Sequence, residues 1–159
     1  TDDAIRQVAR NFGGVEHRIE LVRVKDGVRY YNDSIASSPS RTIAGLRSFP
    51  EKVILIAGGY DKHIPYDVLG PEICAHVKKL FLGGATGPKI RTAVENAPEY
   101  LPGMPEIVDC GDFTQATLAA AQAAEPGDVV LMSPASAAFD QFKNFMVRGQ
   151  YFKKLVKEL

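Results

Sequence analysis

The chain alternates short apolar segments with glycine-rich turns and helical segments, and this alternation restricts its fold more than any other feature. Strands are predicted at residues 52–57, 79–82, 106–109 and 128–132. Helices are predicted between and after them, at residues 71–77, 88–95, 113–124, 137–145 and 151–159. Short, apolar strands that alternate with helices are typical of a parallel sheet covered on both faces. The sequence therefore predicts an α/β domain of three layers with a mostly parallel sheet.

A hairpin near the N-terminus predicts one further strand of this sheet. Residues 18–24 alternate in polarity as a half-exposed strand does, and residues 25–27 (Lys-Asp-Gly) predict a tight turn. Residues 28–33 form the return strand. Since tight turns join antiparallel strands, the hairpin is expected to add one antiparallel strand at the sheet edge.

Length and composition define the broad class of protein. The 159 residues suffice for one domain with a single core. The 19 basic and 19 acidic residues balance without long runs of either sign, so nucleic-acid binding is not expected. The longest apolar runs are far shorter than the ~20 residues of a membrane span. Cys74 and Cys110 lie far apart without a metal-ligand pattern, which predicts a reducing compartment such as the cytoplasm.

The residues that follow the predicted strands are small or polar, and they indicate where a ligand binds. These turns are Asp33-Ser34, Gly58–Lys62, Gly83–Thr86, Asp109–Asp112 and Ser133–Ser136. Because parallel strands end at the same edge of a sheet, we expect the turns to meet there. Predicted helix starts at Ser38 and Ala137 add free backbone N–H groups, and Lys62 adds a positive charge. The edge therefore favours a small anion.

Each of these features also has a purely structural interpretation. Gly58-Gly59 is as consistent with tight-turn geometry, Lys62 with a solvated surface lysine and Asp33 with a turn cap. The loop 83–87 lacks the spacing of both glycine-rich phosphate-binding fingerprints, so we interpret it as structural. The histidines lack partners at ligand spacing, and no metal site is expected. Spacing alone leads no further than an α/β domain with an anion-binding edge.

Four segments, taken in order, resemble a known family. They are His17-Arg18-x-Glu20, Gly27-Val28-x-Tyr30-Tyr31-Asn32-Asp33-Ser34, Leu55-Ile56-Ala57-Gly58-Gly59-x-x-Lys62 and Ser133-Pro134-Ala135-x-Ala137-x-Phe139-Asp140-x-Phe142-x-x-Phe145, continued by Arg148-Gly149 and Phe152. Together they resemble the C-terminal domain of the Mur ligases over residues 17–159. The Asn-Asp-Ser turn and the last segment are most similar to the branch that adds D-glutamate to UDP-N-acetylmuramoyl-L-alanine.

The resemblance implies a Rossmann-like domain of a three-domain, monomeric, cytoplasmic ligase of peptidoglycan synthesis. Residues 1–16 would be the tail of the central domain, which in this family binds most of the ATP and Mg²⁺. The implied partners are D-glutamate, UDP-N-acetylmuramoyl-L-alanine and the ligase's own N-terminal and central domains. The sequence contains no P-loop, so this chain alone is not expected to catalyse ligation.

The resemblance also implies binding roles for seven residues, and no catalytic residue, in this domain. Nucleotide contacts are implied for Arg18 and Asp33, and D-glutamate contacts for Ser37, Lys62, Ala138, Phe139 and Phe145. Two of these positions, and the neighbouring position 35, depart from the family pattern. Ile35 replaces the lysine of many relatives, Ser37 a threonine and Ala138 a serine. The ligand contact that this serine would make must therefore come from a backbone N–H group or from Ser136.

Three alternatives remain open at this point. A related ligase with another acceptor, of the folylpolyglutamate type, is disfavoured by the Asn32-Asp33-Ser34 turn. A non-catalytic ligand-binding module would require the chain to be a complete protein. A nucleotide-binding Rossmann protein is disfavoured because neither glycine fingerprint is present.

Overall fold

The computed structural model describes residues 15–159, so the helix predicted at residues 2–12 lies outside the described residues. The described part forms a six-stranded sheet and five helices. In chain order they are β1 (Glu20–Lys25), β2 (Val28–Asn32), α1 (Pro39–Leu46), β3 (Val53–Ala57), α2 (Leu69–His76), β4 (Val77–Gly83), α3 (Gly87–Glu95), β5 (Glu106–Gly111), α4 (Phe113–Ala123), β6 (Val129–Met132) and α5 (Phe145–Lys157).

The sheet has the strand order β1-β2-β6-β3-β4-β5. Strand β1 is antiparallel to β2, whereas the other four strand pairs are parallel. Asp26 and Gly27 both have positive φ values, 52° and 77°, as a two-residue turn between twisted antiparallel strands requires. The predicted α/β fold with one antiparallel edge strand is confirmed.

Helices cover both faces of the sheet because alternate strand residues point to opposite sides. Leu55 and Leu131 pack against α1, α2 and α3 in one core. Ile54 and Val130, their neighbours along the strands, pack against α4 and α5 in the other. The chain moves in one direction from β2 to β5 and returns to β6, so right-handed crossovers place α1–α3 and α4 on opposite faces.

Strand β6 lies between β2 and β3, and this position creates a crevice at the carboxyl edge of the sheet. The chain leaves β2 and β3 toward one face, where α1 and α2 lie, but leaves β6 toward the other, where α5 lies. Ligands of open α/β sheets bind where neighbouring connections diverge in this way. The loops 33–38, 58–68 and 133–144 consequently share one edge.

The helix predicted at residues 137–145 is wrong, and α5 begins at its last residue instead. Ala137 forms an isolated antiparallel bridge with Tyr60, which fixes it in an extended conformation. Asn144 is also extended, at φ −162°, and its side chain accepts a 2.9 Å hydrogen bond from the backbone N–H of Val147. The pairing with Tyr60 and the Asn144 cap outweigh the helical spacing of the apolar residues.

Candidate functional site

The first part of the candidate site is a cavity of about 270 Å³ beside the end of β2. Arg18 enters it from the segment before β1, Asp33 from the end of β2 and Arg41 from the first turn of α1. Ile35, where many relatives are expected to have lysine, also lines it. Two guanidinium groups beside one buried carboxyl make this cavity suited to an anionic or hydroxyl-rich ligand.

Asp33 is held in place by neutral partners. Its side chain is 3% exposed, and its two oxygens accept hydrogen bonds from the backbone N–H of Ile19 at 3.1 Å and the hydroxyl of Ser133 at 2.7 Å. Burial raises the pKa of Asp33 to about 6, although both hydrogen bonds and the charges of Arg18 and Arg41 act in the opposite direction. Asp33 therefore loses its proton at a higher pH than an ordinary aspartate does.

The second part of the site is formed where the loop after β3 meets the loop after β6. The backbone N–H of Tyr60 donates a 2.8 Å hydrogen bond to the carbonyl of Ala137. The ring of Tyr60 meets that of Phe139 edge to face, with centroids 5.7 Å apart. Ala138 is buried, whereas Phe139 is 63% exposed. Lys62 extends from the same loop into solvent and forms no ion pair within residues 15–159.

Gly58 allows this loop to turn so sharply. Its φ value is 108°, a conformation that residues with a side chain rarely adopt. A Cβ atom at this position would also overlap the carbonyl oxygen of Gly83. The glycine pair after β3 therefore has a structural role, as one of its two predicted interpretations requires.

Ser136 lies in a buried polar network below the two loops. Its hydroxyl is 2.9 Å from the hydroxyl of Tyr66 and 2.8 Å from that of Thr86. Thr86 in turn accepts a 2.9 Å hydrogen bond from the backbone N–H of Gly59. These hydrogen bonds connect the ends of β3, β4 and β6, and they fix the position of the loop that carries Lys62.

Arg148, in the first turn of α5, connects the end of β6 to the end of β2. Its side chain is 1% exposed. It donates to Ser34 twice, at 2.9 Å to the hydroxyl and at 2.7 Å to the carbonyl, and to the carbonyl of Ser136 at 2.8 Å. The Ser34 hydroxyl lies 2.7 Å from the carbonyl oxygen of Phe145 and donates to it. The loops that carry Ser37 and Ala138 are thus joined through one guanidinium group.

His17 fixes the beginning of the domain next to the site. Its ring is buried against Phe145 and Gly149, and Nδ1 lies 2.8 Å from the side-chain nitrogen of Asn32. Because an amide nitrogen can only donate, Nδ1 accepts and the ring is neutral. Burial lowers the pKa of His17, consistent with this state. The position of His17 in turn sets that of Arg18 at the cavity.

Similarity to known proteins identifies the family of this domain. A family model described as "Mur ligase, glutamate ligase domain" matches residues 17–136, three quarters of the chain. The chain belongs to this family. The match begins at the buried His17 and includes the ends of β2, β3, β4 and β6, which form the edge described above.

Two relatives of this Mur ligase domain extend the match to the whole chain. It is 56% identical over 159 residues to the UDP-N-acetylmuramoylalanine–D-glutamate ligase of Acetivibrio thermocellus. It is 50% identical over 157 residues to the protein of the same name from Clostridium beijerinckii. Each alignment covers 99% of this chain but 34% of the relative, so the chain spans about a third of the length of the curated relatives it matches.

Solved structures support the fold of this Mur ligase domain. A murein peptide ligase from Psychrobacter arcticus superposes with a TM-score of 0.60 over 92% of this chain and 31% of its own, at 13% identity. A folylpolyglutamate synthase from Thermotoga maritima superposes with a TM-score of 0.58 over 100% of this chain and 34% of its own, at 17% identity. Among residues 15–159, no helix is long and apolar enough to cross a membrane.

The structure groups the predicted site residues of this Mur ligase domain into two sets. Arg18 and Asp33 line the cavity beside β2. The others lie on the loops at the carboxyl edge or at the start of α5: Ser37, Lys62, Ala138, Phe139 and Phe145. The roles of these residues remain predictions.

Sequence reasoning missed Arg41 and the part that Arg148 plays. Arg41 lies two positions after Pro39, in the first turn of the helix that follows β2, and this position could have indicated that it faces the same edge as Asp33. Arg148 lies four positions before Phe152, a spacing that places both on the same buried face of α5. An arginine on an apolar helix face was the signal that could have revealed this residue.

Proposed function

We propose that this domain binds the incoming amino acid in an ATP-dependent ligase that adds D-glutamate to UDP-N-acetylmuramoyl-L-alanine. The observation that carries this proposal is the 56% identity over the full chain to a ligase with that name. The ligase acts in the cytoplasm, as a monomer, in peptidoglycan synthesis. Residues 17–159 form the domain, whose buried first residue supports this boundary, and residues 1–16 are the tail of the preceding central domain.

The chemistry of the carboxyl edge suits a dicarboxylic amino acid. Lys62 provides a cation that has no ion-pair partner among residues 15–159, and Ser37 provides a hydroxyl on the neighbouring loop. The first backbone N–H groups of α5 have no acceptor within the helix, so the N–H of Phe145 is available to a carboxylate. Ala138 and Phe139 shape the surface between them. The domain thereby holds both carboxylates and directs the amine outward.

Ligation itself uses the remainder of the longer protein. The carboxylate of UDP-N-acetylmuramoyl-L-alanine takes the γ-phosphoryl group of ATP and releases ADP. The amine of D-glutamate then attacks the acyl phosphate, so that the amide C–N bond forms as the C–O bond to phosphate breaks, and phosphate and a proton leave. Such a reaction relies on positioning and on stabilising charge, for which this domain provides the nucleophile in a fixed orientation. Arg18 and Asp33 contact the nucleotide when the domains close, while ATP and Mg²⁺ are bound mainly by the central domain.

Steady-state kinetics of the full-length ligase test this function. We expect turnover with D-glutamate and none with L-glutamate. Lys62→Ala should raise the KM for D-glutamate by about tenfold or more, because a charge-assisted contact to a carboxylate is lost. Lys52→Ala is the matched control, since this exposed lysine precedes β3 at the opposite edge of the sheet.

Three results would contradict parts of the proposal. Turnover with L-glutamate in place of the D-isomer would indicate a ligase with another acceptor. An unchanged KM in the Lys62 variant would remove Lys62 from the site. Binding of D-glutamate by a protein without any ligase activity would favour a ligand-binding module.

A further inference from the structure

Arg148 is a buried cation without a buried counter-charge among the described residues. Within residues 15–159, no carboxylate lies at ion-pair distance from its guanidinium group. Its three acceptors are neutral oxygens of Ser34 and Ser136. Asp140 is the acidic residue that raises its pKa, and the side chain of Asp140 is exposed.

Three hydrogen bonds compensate in part for the burial of this charge, but no opposite charge at ion-pair distance within residues 15–159 does. Moving a charge out of water is unfavourable unless an opposite charge or several hydrogen bonds compensate for it. Burial lowers the pKa of Arg148 to about 10, so the group remains charged at neutral pH. An apolar side chain would avoid the cost of burying a charge, but it would leave the carbonyls of Ser34 and Ser136 without this donor.

The contacts of Arg148 lead directly to the groups proposed to bind the amino acid. The guanidinium fixes both the carbonyl and the hydroxyl of Ser34, three residues before Ser37. The same hydroxyl donates to the carbonyl of Phe145, the first residue of α5. On the other side, the guanidinium holds Ser136, two residues before Ala138. One planar group therefore sets the distance between the two loops that would enclose the ligand.

We propose that Arg148 is a positioning residue for the amino-acid substrate, and that the carboxylates of this substrate balance its charge. The inference rests on the function proposed above. In the low-dielectric interior, the charge of Arg148 acts over several ångströms and makes the potential between the two loops positive. The acceptor edge is thus prepared for a dianionic amino acid before the ligand arrives, through a residue that does not touch it.

Two substitutions of Arg148 in the full-length ligase separate its charge from its geometry. Arg148→Met removes the charge and keeps the apolar stem, whereas Arg148→Lys keeps the charge and loses the planar fork. Val156→Ala is the control for general destabilisation, because Val156 is fully buried about two turns further along the same helix. KM values for D-glutamate and for ATP are measured for each protein, together with the melting temperature.

We expect Arg148→Met to raise the KM for D-glutamate by about tenfold or more, with the KM for ATP changed less than about twofold. Arg148→Lys should give an intermediate KM for D-glutamate. A merely structural role would lower the melting temperature of both Arg148 variants, as in the Val156 control, and leave the two KM values unchanged or change them equally. That result would overturn the inference.

The outcomes also distinguish this inference from the proposed function. If the wild-type ligase does not use D-glutamate, the proposed function fails and the inference fails with it. If the wild type uses D-glutamate and both Arg148 variants keep its KM, the inference alone is overturned. Where Arg148→Met does not fold, Arg148→Lys decides the matter, since a KM for D-glutamate raised by about threefold supports the inference and an unchanged KM refutes it.

Discussion

Replacing Asp33 by asparagine should change how the stability of this domain depends on pH. The carboxyl has a pKa of about 6 in the folded protein, against an ordinary value of 3.8. An asparagine side chain can still accept from the backbone N–H of Ile19 and donate to the hydroxyl of Ser133. It has the same charge at every pH, so the comparison isolates the ionisation of Asp33.

The sign of the effect follows from proton binding. Between about pH 4 and pH 6 the folded protein binds more protons at Asp33 than the unfolded chain, so stability falls as pH rises. The contribution of Asp33 is fully present below its unfolded pKa and is lost as pH rises through about 6. The two pKa values differ by roughly two units, which corresponds to roughly 3 kcal/mol at about 1.4 kcal/mol per unit.

Urea unfolding of the 159-residue chain and its Asp33→Asn variant, at several pH values from about 4 to 7, measures this difference. We expect the variant to gain roughly 3 kcal/mol relative to wild type across that range. His17 titrates in both proteins, and its contribution cancels in the comparison. A difference that is independent of pH, or one that changes in favour of wild type as pH rises, would refute a raised pKa of Asp33 in the folded protein.

Two further substitutions test the packing below the site. Gly149→Ala should destabilise the domain by about 1–3 kcal/mol, although alanine favours helices, because its methyl group would overlap the ring of His17. The double variant with His17→Gly should recover much of this stability, because the overlapping ring is gone. If the losses of the two single variants simply add in a double-mutant cycle, the overlap is contradicted. Ser136→Ala should cost about 1–3 kcal/mol in urea unfolding by leaving the buried hydroxyls of Tyr66 and Thr86 without this partner; a loss within error would mean that the two pair with each other instead.

The sheet could be predicted from the sequence because its signals are local. Strands β3 and β6 are short apolar runs bounded by turn residues, β1 alternates in polarity, and the Asp26-Gly27 turn sets the antiparallel edge. The carboxyl edge follows from parallel strands alone, so Asp33 and Lys62 could be placed there from the sequence. The nucleotide contacts of Arg18 and Asp33, by contrast, were implied only by the family resemblance.

What could not be predicted depends on contacts between distant parts of the chain. The segment after Ala137 has apolar residues at helical spacing, but its conformation is decided by Tyr60, 77 positions earlier. Arg148 binds Ser34 across 114 positions, and no local pattern encodes such a pair. The apolar face of α5 could have indicated that Arg148 is buried, but not which residues it binds.

The position of β6 between β2 and β3 determines when the domain can fold during synthesis. This strand is the last of the sheet to be made, yet it is the one that joins the β1-β2 hairpin to β3, β4 and β5. Until residues 129–132 have left the ribosome, the hairpin has no parallel partner and one edge of β3 is open. Such long-range pairing is slow and exposes strand edges to aggregation. In a chain that ends before β6, the hairpin and the β3-β4-β5 unit are not paired with each other, and the substrate-binding edge between them is not formed.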